Sequence, residues 1–397
     1  MAGLYIHIPF CESRCIYCDF YSTTRLKDRT SYVNALIREL KFRAGYLPHS
    51  AGHLPPIHTI YFGGGTPSQL NCCQLEQILN TIYKEYDVSN DAEITLEANP
   101  DDLSEQRIKE LRKLPFNRLS MGIQTFDDKR LHFLKRRHNG KEAIEAVKRC
   151  QDAGLTNISI DLIYGLPQET LSEWEEDITQ AISLHTPHIS GYALIYEEGT
   201  PLWKMKEKEL VKEIEDETSL AMYSLLIDRL TSDGFEHYEI SNFARPGFRS
   251  RHNSSYWMNI PYLGCGPSAH SFDGLSRQWN TPDLTTYINM VNVCQSPTDF
   301  FNASWIEKEE LSLSTRYNDF ILTSLRTCWG ADIHIMKEKF GDKLTAYCLR
   351  MAKPYLDSGH MILTKQNEQA PEGLLKLTRR GLFLSDGIIS DLLYVED

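Results

Sequence analysis

Leu4-Tyr5-Ile6-His7-Ile8-Pro9-Phe10-Cys11-Glu12-Ser13-Arg14-Cys15-Ile16-Tyr17-Cys18 is the stretch on which the reading of this chain turns. Its apolar start, from Gly3 to Ile8, is rich in β-branched and aromatic residues and predicts a first strand. Three cysteines then fall within a span of eight residues. Thiolates so spaced can converge on one metal centre, and three rather than four leave one coordination position open. That suits a [4Fe–4S] cluster with one iron free for an outside ligand. Zinc on three cysteines and a histidine is the rival, and His7 lies before the loop on the predicted strand. The bland reading is three unrelated buried thiols. So tight a group in a reducing compartment argues instead for metal or redox chemistry.

The bulk of the chain bounds the rest. A length of 397 residues predicts one large domain and a smaller one, and 41 % hydrophobic residues are ample for a core. A net charge of −12 argues against a broad nucleic-acid-binding face and reads most simply as solubility. Met1-Ala2-Gly3 leads straight into the first strand, with no secretory signal expected. No apolar run approaches the roughly 20 residues of a membrane span, so no membrane insertion is expected. Cys72, Cys73, Cys150, Cys265, Cys294, Cys328 and Cys348 are scattered, read as mostly small core residues rather than a disulfide frame, and the expected location is cytoplasmic.

Strand and helix signals then alternate. A helix is expected from about Asp28 to Arg43, and Pro48, Gly52, Pro55 and Pro56 mark a loop. Further strands are expected at 59–62, 92–97, 118–123, 158–163 and 188–194, with helices between them and a charged helix over 208–232. Six such units predict parallel strands joined by right-handed crossovers, an α/β partial barrel whose chemistry sits at the C-terminal strand ends. The polar outliers keep that register: Gly63 to Pro67, Glu97 and Gln124 at strand ends, Asp161 within a strand. Residues 237–243 read as one more strand, and 251–257 and 264–270 as irregular, aromatic- and glycine-rich chain. From Glu307 the chain reads as helical again, with short strands at 361–363 and 374–378 and a last helix from Gly381. The expected division is 1–236, a core barrel; 237–300, a connecting region; and 301–397, a helix-rich, winged-helix-like domain.

The C-x3-C-x2-C spacing resembles that of the radical-SAM superfamily, and Tyr5 to Cys11 with Cys18-Asp19-Phe20-Tyr21-Ser22 narrows the likeness. It is similar to the branch that holds oxygen-independent coproporphyrinogen III dehydrogenase and the HemW haem chaperones. The resemblance implies a partial (β/α)6 radical-SAM barrel with a smaller helix-rich C-terminal domain. It also implies a [4Fe–4S] cluster on Cys11, Cys15 and Cys18, with S-adenosylmethionine chelating the open iron. The matching positions that contact S-adenosylmethionine would be Tyr5, Tyr17, Gly64, Gly65, Thr66, Glu97, Gln124, Arg136 and Asp161.

On the residues alone the readings are plainer. Gly63-Gly64-Gly65-Thr66-Pro67 lacks the Gly-Lys-Ser/Thr ending of a phosphate loop and could be a tight turn. Glu97 could be a solvated strand-end acid, and Arg136 part of a basic surface run. Asp161 stands in an otherwise apolar strand and needs a partner, Arg136 or a ligand hydroxyl.

His252-Asn253-Ser254-Ser255-Tyr256-Trp257 matches the HNxxYW motif linked to haem in the HemW branch, which makes His252 the expected haem ligand. The bland reading is a loop whose His and Trp merely pack. Two departures stand against the dehydrogenase: Phe20 occupies the place of its further cysteine, and only ten residues precede Cys11. The expected function is therefore a haem chaperone. It would deliver haem to acceptor haemoproteins of unstated identity, with the cluster gating transfer or homodimer formation. The alternative is radical decarboxylation of coproporphyrinogen III. Whether S-adenosylmethionine is cleaved stays open, and no catalytic residue is assigned.

Overall fold

The computed structural model describes residues 1–48, 54–364 and 372–395, so Gly52 of the expected loop lies outside them. Six strands and six helices come first, one helix between successive strands except between β4 and β5, which two helices join. The strands are β1 (Ala2–Ile8), β2 (Ile57–Gly64), β3 (Val88–Ala98), β4 (Arg118–Gln124), β5 (Ile158–Tyr164) and β6 (His188–Ala193). The helices are α1 (Arg29–Phe42), α2 (Cys72–Glu85), α3 (Glu105–Leu111), α4 (Asp128–Phe133), α5 (Gly140–Asp152) and α6 (Leu171–Ser183). Neighbouring strands pair in parallel from β1 to β6. Helices cover the outside, so the central strands are apolar almost continuously, as β1 and β5 show. Capping boxes open three of these six helices, with Asn71 and Gln74, Asn139 and Glu142, and Thr170 and Glu173 as the pairs. Ser104 caps α3 through the Arg107 N–H alone, since no acidic side chain answers it.

Beyond β6 several expectations need correction. The helix expected over 208–232 is two helices, α7 (Pro201–Glu207) and α8 (Asp216–Ser232). Thr200 and Pro201 start α7 early, and Glu209 turns left-handed (φ +55°), which stops it. The single strand at 237–243 is a hairpin, β7 (Glu236–Glu239) and β8 (Asn242–Ala244). The stretch read as irregular begins with a helix, α9 (Arg251–Trp257), capped by Ser250. It continues as three strands, β9 (Tyr262–Cys265), β10 (His270–Phe272) and β11 (Ser276–Asn280), followed by α10 (Leu284–Val293) and α11 (Pro297–Phe301). Residues 307–310 are not helical: β12 (Ile306–Glu310) pairs antiparallel with β11.

These edge strands extend the parallel core into one twelve-stranded sheet, ordered β12-β11-β10-β9-β1-β2-β3-β4-β5-β6-β8-β7. The rest of the chain holds α12 (Leu313–Leu325), β13 (Ala331–Asp332), α13 (Ile333–Asp357, broken at Gly341 with φ +79°), β14 (Met361–Leu363), β15 (Leu374–Leu377), α14 (Arg379–Leu382) and α15 (Ser385–Leu392). Its three strands form a separate small sheet, and its apolar cluster around Tyr317, Ile321 and Cys348 is distinct from that of the large sheet. Among the described residues no helix is long and apolar enough to cross a membrane.

Candidate functional site

The C-terminal ends of β1 to β6 open onto one pocket of about 540 Å³. That volume lies within the usual range for a small-molecule site. Three walls come from the segments singled out in the sequence. Cys11, Cys15, Tyr17 and Cys18 line it from the loop after β1, and Gly64, Gly65 and Thr66 from the end of β2. Glu97, Gln124, Arg136 and Asp161 complete it.

The glycines are there for space. Gly64 has φ +110°, and a side chain on it would strike the His7 ring at 2.6 Å. A Cβ on Gly65 would lie 2.8 Å from the Pro9 backbone. The tight turn this permits aims the Gly64 N–H at Glu97 Oε2, 3.1 Å away, while the Tyr61 hydroxyl donates to Oε1 at 2.8 Å. Burial still dominates and lifts the Glu97 carboxyl to about 7, with Asp161 adding to the rise. Asp161 is itself raised by burial, against hydrogen bonds from Ser190 and Ser120. Gln124 stands at a register shift between β4 and β5 in the left-handed region (φ +75°), a strained position for a residue with a side chain.

The three thiols are free and share the pocket rim. Among the described residues no three His, Cys, Asp or Glu side chains stand at metal-ligand distances as placed. The donor set nonetheless fits a cluster. Burial raises the Cys11 thiol, and burial with the neighbouring thiols raises Cys18 to about 11, a crowding that a cationic centre would relieve. Arg136 Nη1 donates to Cys15 Sγ at 3.4 Å, and the Thr66 hydroxyl to Cys11 Sγ at 3.5 Å, so the sulfurs already have donors behind them. Arg136 is fixed by Asn99 Oδ1 at 2.7 Å. His7, the fourth ligand of the zinc alternative, is committed elsewhere. Its Nε2 pairs with the Tyr21 carbonyl at 3.0 Å and its Nδ1 with the Tyr5 hydroxyl at 3.2 Å.

Two expected residues lie outside the pocket lining. Tyr5 sits behind it, stacked on Tyr61 at 6.1 Å between ring centres. His252 is 1 % exposed, with Nδ1 on the Thr59 hydroxyl and Nε2 on the Tyr256 hydroxyl, both at 2.8 Å. Burial holds its pKa near 3. Both ring nitrogens are thus engaged within the fold, and the imidazole stacks on Tyr61 at 5.0 Å, which seats α9 against β2. Only Asn253 of the motif reaches the lining.

The lining also includes residues not singled out earlier: Tyr61, Asn99, Arg118, Ser120, Ser159 and Ser190. Arg118, Ser120, Gly122 and Gln124 alternate along β4, and register places Ser120 beside both Glu97 and Ser159. A period of two in polar residues on an otherwise apolar strand was the available signal.

Residues 5–181 match the Radical SAM superfamily. The chain is 33 % identical over 395 residues to Heme chaperone HemW of Bacillus subtilis (strain 168), covering 99 % of each. It is 34 % identical over 340 residues to Heme chaperone HemW of Lactococcus lactis subsp. lactis (strain IL1403), covering 85 % of this chain and 84 % of the relative. Among solved structures, coproporphyrinogen III oxidase (HemN) from Escherichia coli superposes with a TM-score of 0.81 at 23 % identity, over 99 % of this chain and 90 % of that one. That last likeness is one of fold. The superfamily implies a [4Fe–4S] cluster and S-adenosylmethionine. The chain belongs to the HemW family of radical-SAM proteins.

Proposed function

We propose that the protein is a haem chaperone: it binds haem and passes it to acceptor haemoproteins, with a [4Fe–4S] cluster and S-adenosylmethionine held in the barrel pocket. The observation that carries the cofactor part is the convergence of Cys11, Cys15 and Cys18 with Gly64, Glu97, Gln124, Arg136 and Asp161 around one opening. The haem part is supported by end-to-end likeness to proteins named for it.

Cys11, Cys15 and Cys18 would hold the cluster. When bound, it would supply an open iron for S-adenosylmethionine, and an electron. The chain does the positioning. Gly64 and Gly65 bring backbone close to the ligand, and Glu97 and Asp161 offer acceptors to ligand hydroxyls. Arg136 sets a positive charge beside Cys15. At the mouth, Phe20 and Ile195 are 65 % and 61 % exposed, apolar surface of the kind a flat macrocycle covers.

Oxygen-free reconstitution tests the reading. The protein is expected to take up iron and sulfide, to develop a Soret band with haemin, and to leave coproporphyrinogen III unchanged. Cys15→Ala should lose the iron–sulfur absorbance while keeping haemin binding. Turnover of coproporphyrinogen III would overturn the chaperone reading, and tetrahedral zinc or no metal at the cysteines would overturn the cluster.

A further inference from the structure

Arg118 is a charged residue of the pocket lining that cofactor placement does not use. It opens β4, one inward-facing position below Ser120, and is only 2 % exposed. Neither its Nε nor its Nη1 finds a hydrogen-bond partner, although both are shut off from water. Thr95, its register partner on β3, has an unpaired buried hydroxyl as well. The acids that feel the Arg118 charge are Glu97 and Asp161, and each already has donors of its own. A guanidinium cannot shed its proton to escape burial, so an unpaired one is costly. The lining that reaches Arg118 adds the hydroxyls of Ser120, Ser159 and Ser190.

We propose that Arg118, on the floor of the barrel, receives a carboxylate of a bound ligand. A guanidinium N–H donor and a carboxylate oxygen form a charge-assisted hydrogen bond, which would satisfy the buried charge. The two neighbouring acids limit the partner to a single negative charge, which favours a carboxylate over a phosphate. Two ligands of the proposed function carry such a group: haem through its propionates, and S-adenosylmethionine through its methionyl end. The haem source rests on the chaperone reading; the other source does not.

The test compares wild type, Arg118→Gln and Arg118→Lys, all reconstituted without oxygen. Each is titrated separately with haemin, with haemin dimethyl ester and with S-adenosylmethionine, and each apo form is melted. Arg118→Gln is expected to weaken haemin or S-adenosylmethionine by at least about tenfold, with Arg118→Lys between it and wild type. A loss confined to haemin, with the dimethyl ester binding all three proteins alike, identifies a propionate. A loss confined to S-adenosylmethionine identifies its carboxylate. The apo Arg118→Gln protein should melt at or above wild type, because an unpaired buried charge has been removed. Unchanged affinity for both ligands overturns the proposal, and so does a loss of both that accompanies a lower melting point. Should haemin fail to bind wild type, the chaperone reading falls, and the S-adenosylmethionine titration alone still decides the role of Arg118.

Discussion

Glu97 carries a proton in the fold at a pH where it would have released it in the unfolded chain, because its carboxyl titrates near 7 rather than at 4.5. Between those two values the folded state binds the extra proton, so stability falls as pH rises, and the full penalty is present above about 7. Glu97→Gln removes a group that must otherwise ionise in a poorly solvated pocket. The variant should gain on the order of 1–3 kcal/mol over wild type at about pH 8 and nothing near pH 4.5. Denaturant midpoints of the two apo proteins at both pH values check this, and a gain that is equal at both would refute it. Glu97, Gln124, Asp161 and the cysteines were legible one by one because each interrupts an apolar strand or ends it. Ser120, Ser159, Ser190 and Arg118 were not. Their importance arises from register between strands, and register is a property of pairs that no single segment carries. Tyr5 and His252 were named from the motif and stand outside the lining. A motif fixes where the chain passes, whereas the hydrogen bonds of Thr59 and Tyr256 decide which way the imidazole faces.

At the scale of elements, α9 is held in the barrel by a carboxylate at its start. Both oxygens of the buried Glu93 accept from its first turn, Oε2 from the Arg251 N–H and Oε1 from the His252 N–H, each at 3.0 Å. The helix has seven residues, too few to persist without such anchoring. Glu93→Ala should therefore cost about 2–4 kcal/mol, more than the loss of an ordinary cap, since two charge-assisted bonds go and two buried N–H groups are left unpaired. Equilibrium unfolding measures it; a cost below about 1 kcal/mol would mean that α9 is held by its aromatic contacts instead. The six β/α units were readable because their strands are largely apolar and most of their helices show a 3.6-residue pattern with a capping residue at the start. The edge strands β7 to β12 were not. They have three to five residues each, too few to display a period, and their extended form comes from pairing, in short hairpins for β7–β8 and β10–β11 and across a longer gap for β12 with β11.

The described residues hold two large apolar cores, one under the large sheet and one among α12 to α15, with two small clusters besides. The ties across their junction are polar pairs and two aromatic contacts, Tyr223 with Phe383 and Tyr238 with Trp329. Arg277 meets Asp319 at 2.6 Å, the Ile240 N–H bonds the Arg326 carbonyl at 3.1 Å, and the Cys328 N–H bonds the Tyr238 carbonyl at 3.0 Å. Arg379 pairs with Asp228 nearby. Junctions of this kind transmit stabilisation weakly, because they share little buried apolar surface. Every residue that lines the candidate pocket precedes α12 in the chain. A ligand at about 100 times its Kd adds roughly 2.7 kcal/mol to the state that binds it. Saturating S-adenosylmethionine, added to cluster-loaded protein, should accordingly slow amide exchange in β1 to β6 and leave α12 to α15 nearly unchanged. Hydrogen-exchange mass spectrometry resolves the two. Equal protection of both cores would show that they open as one unit, and Cys15→Ala, which cannot complete the cluster, should show protection in neither.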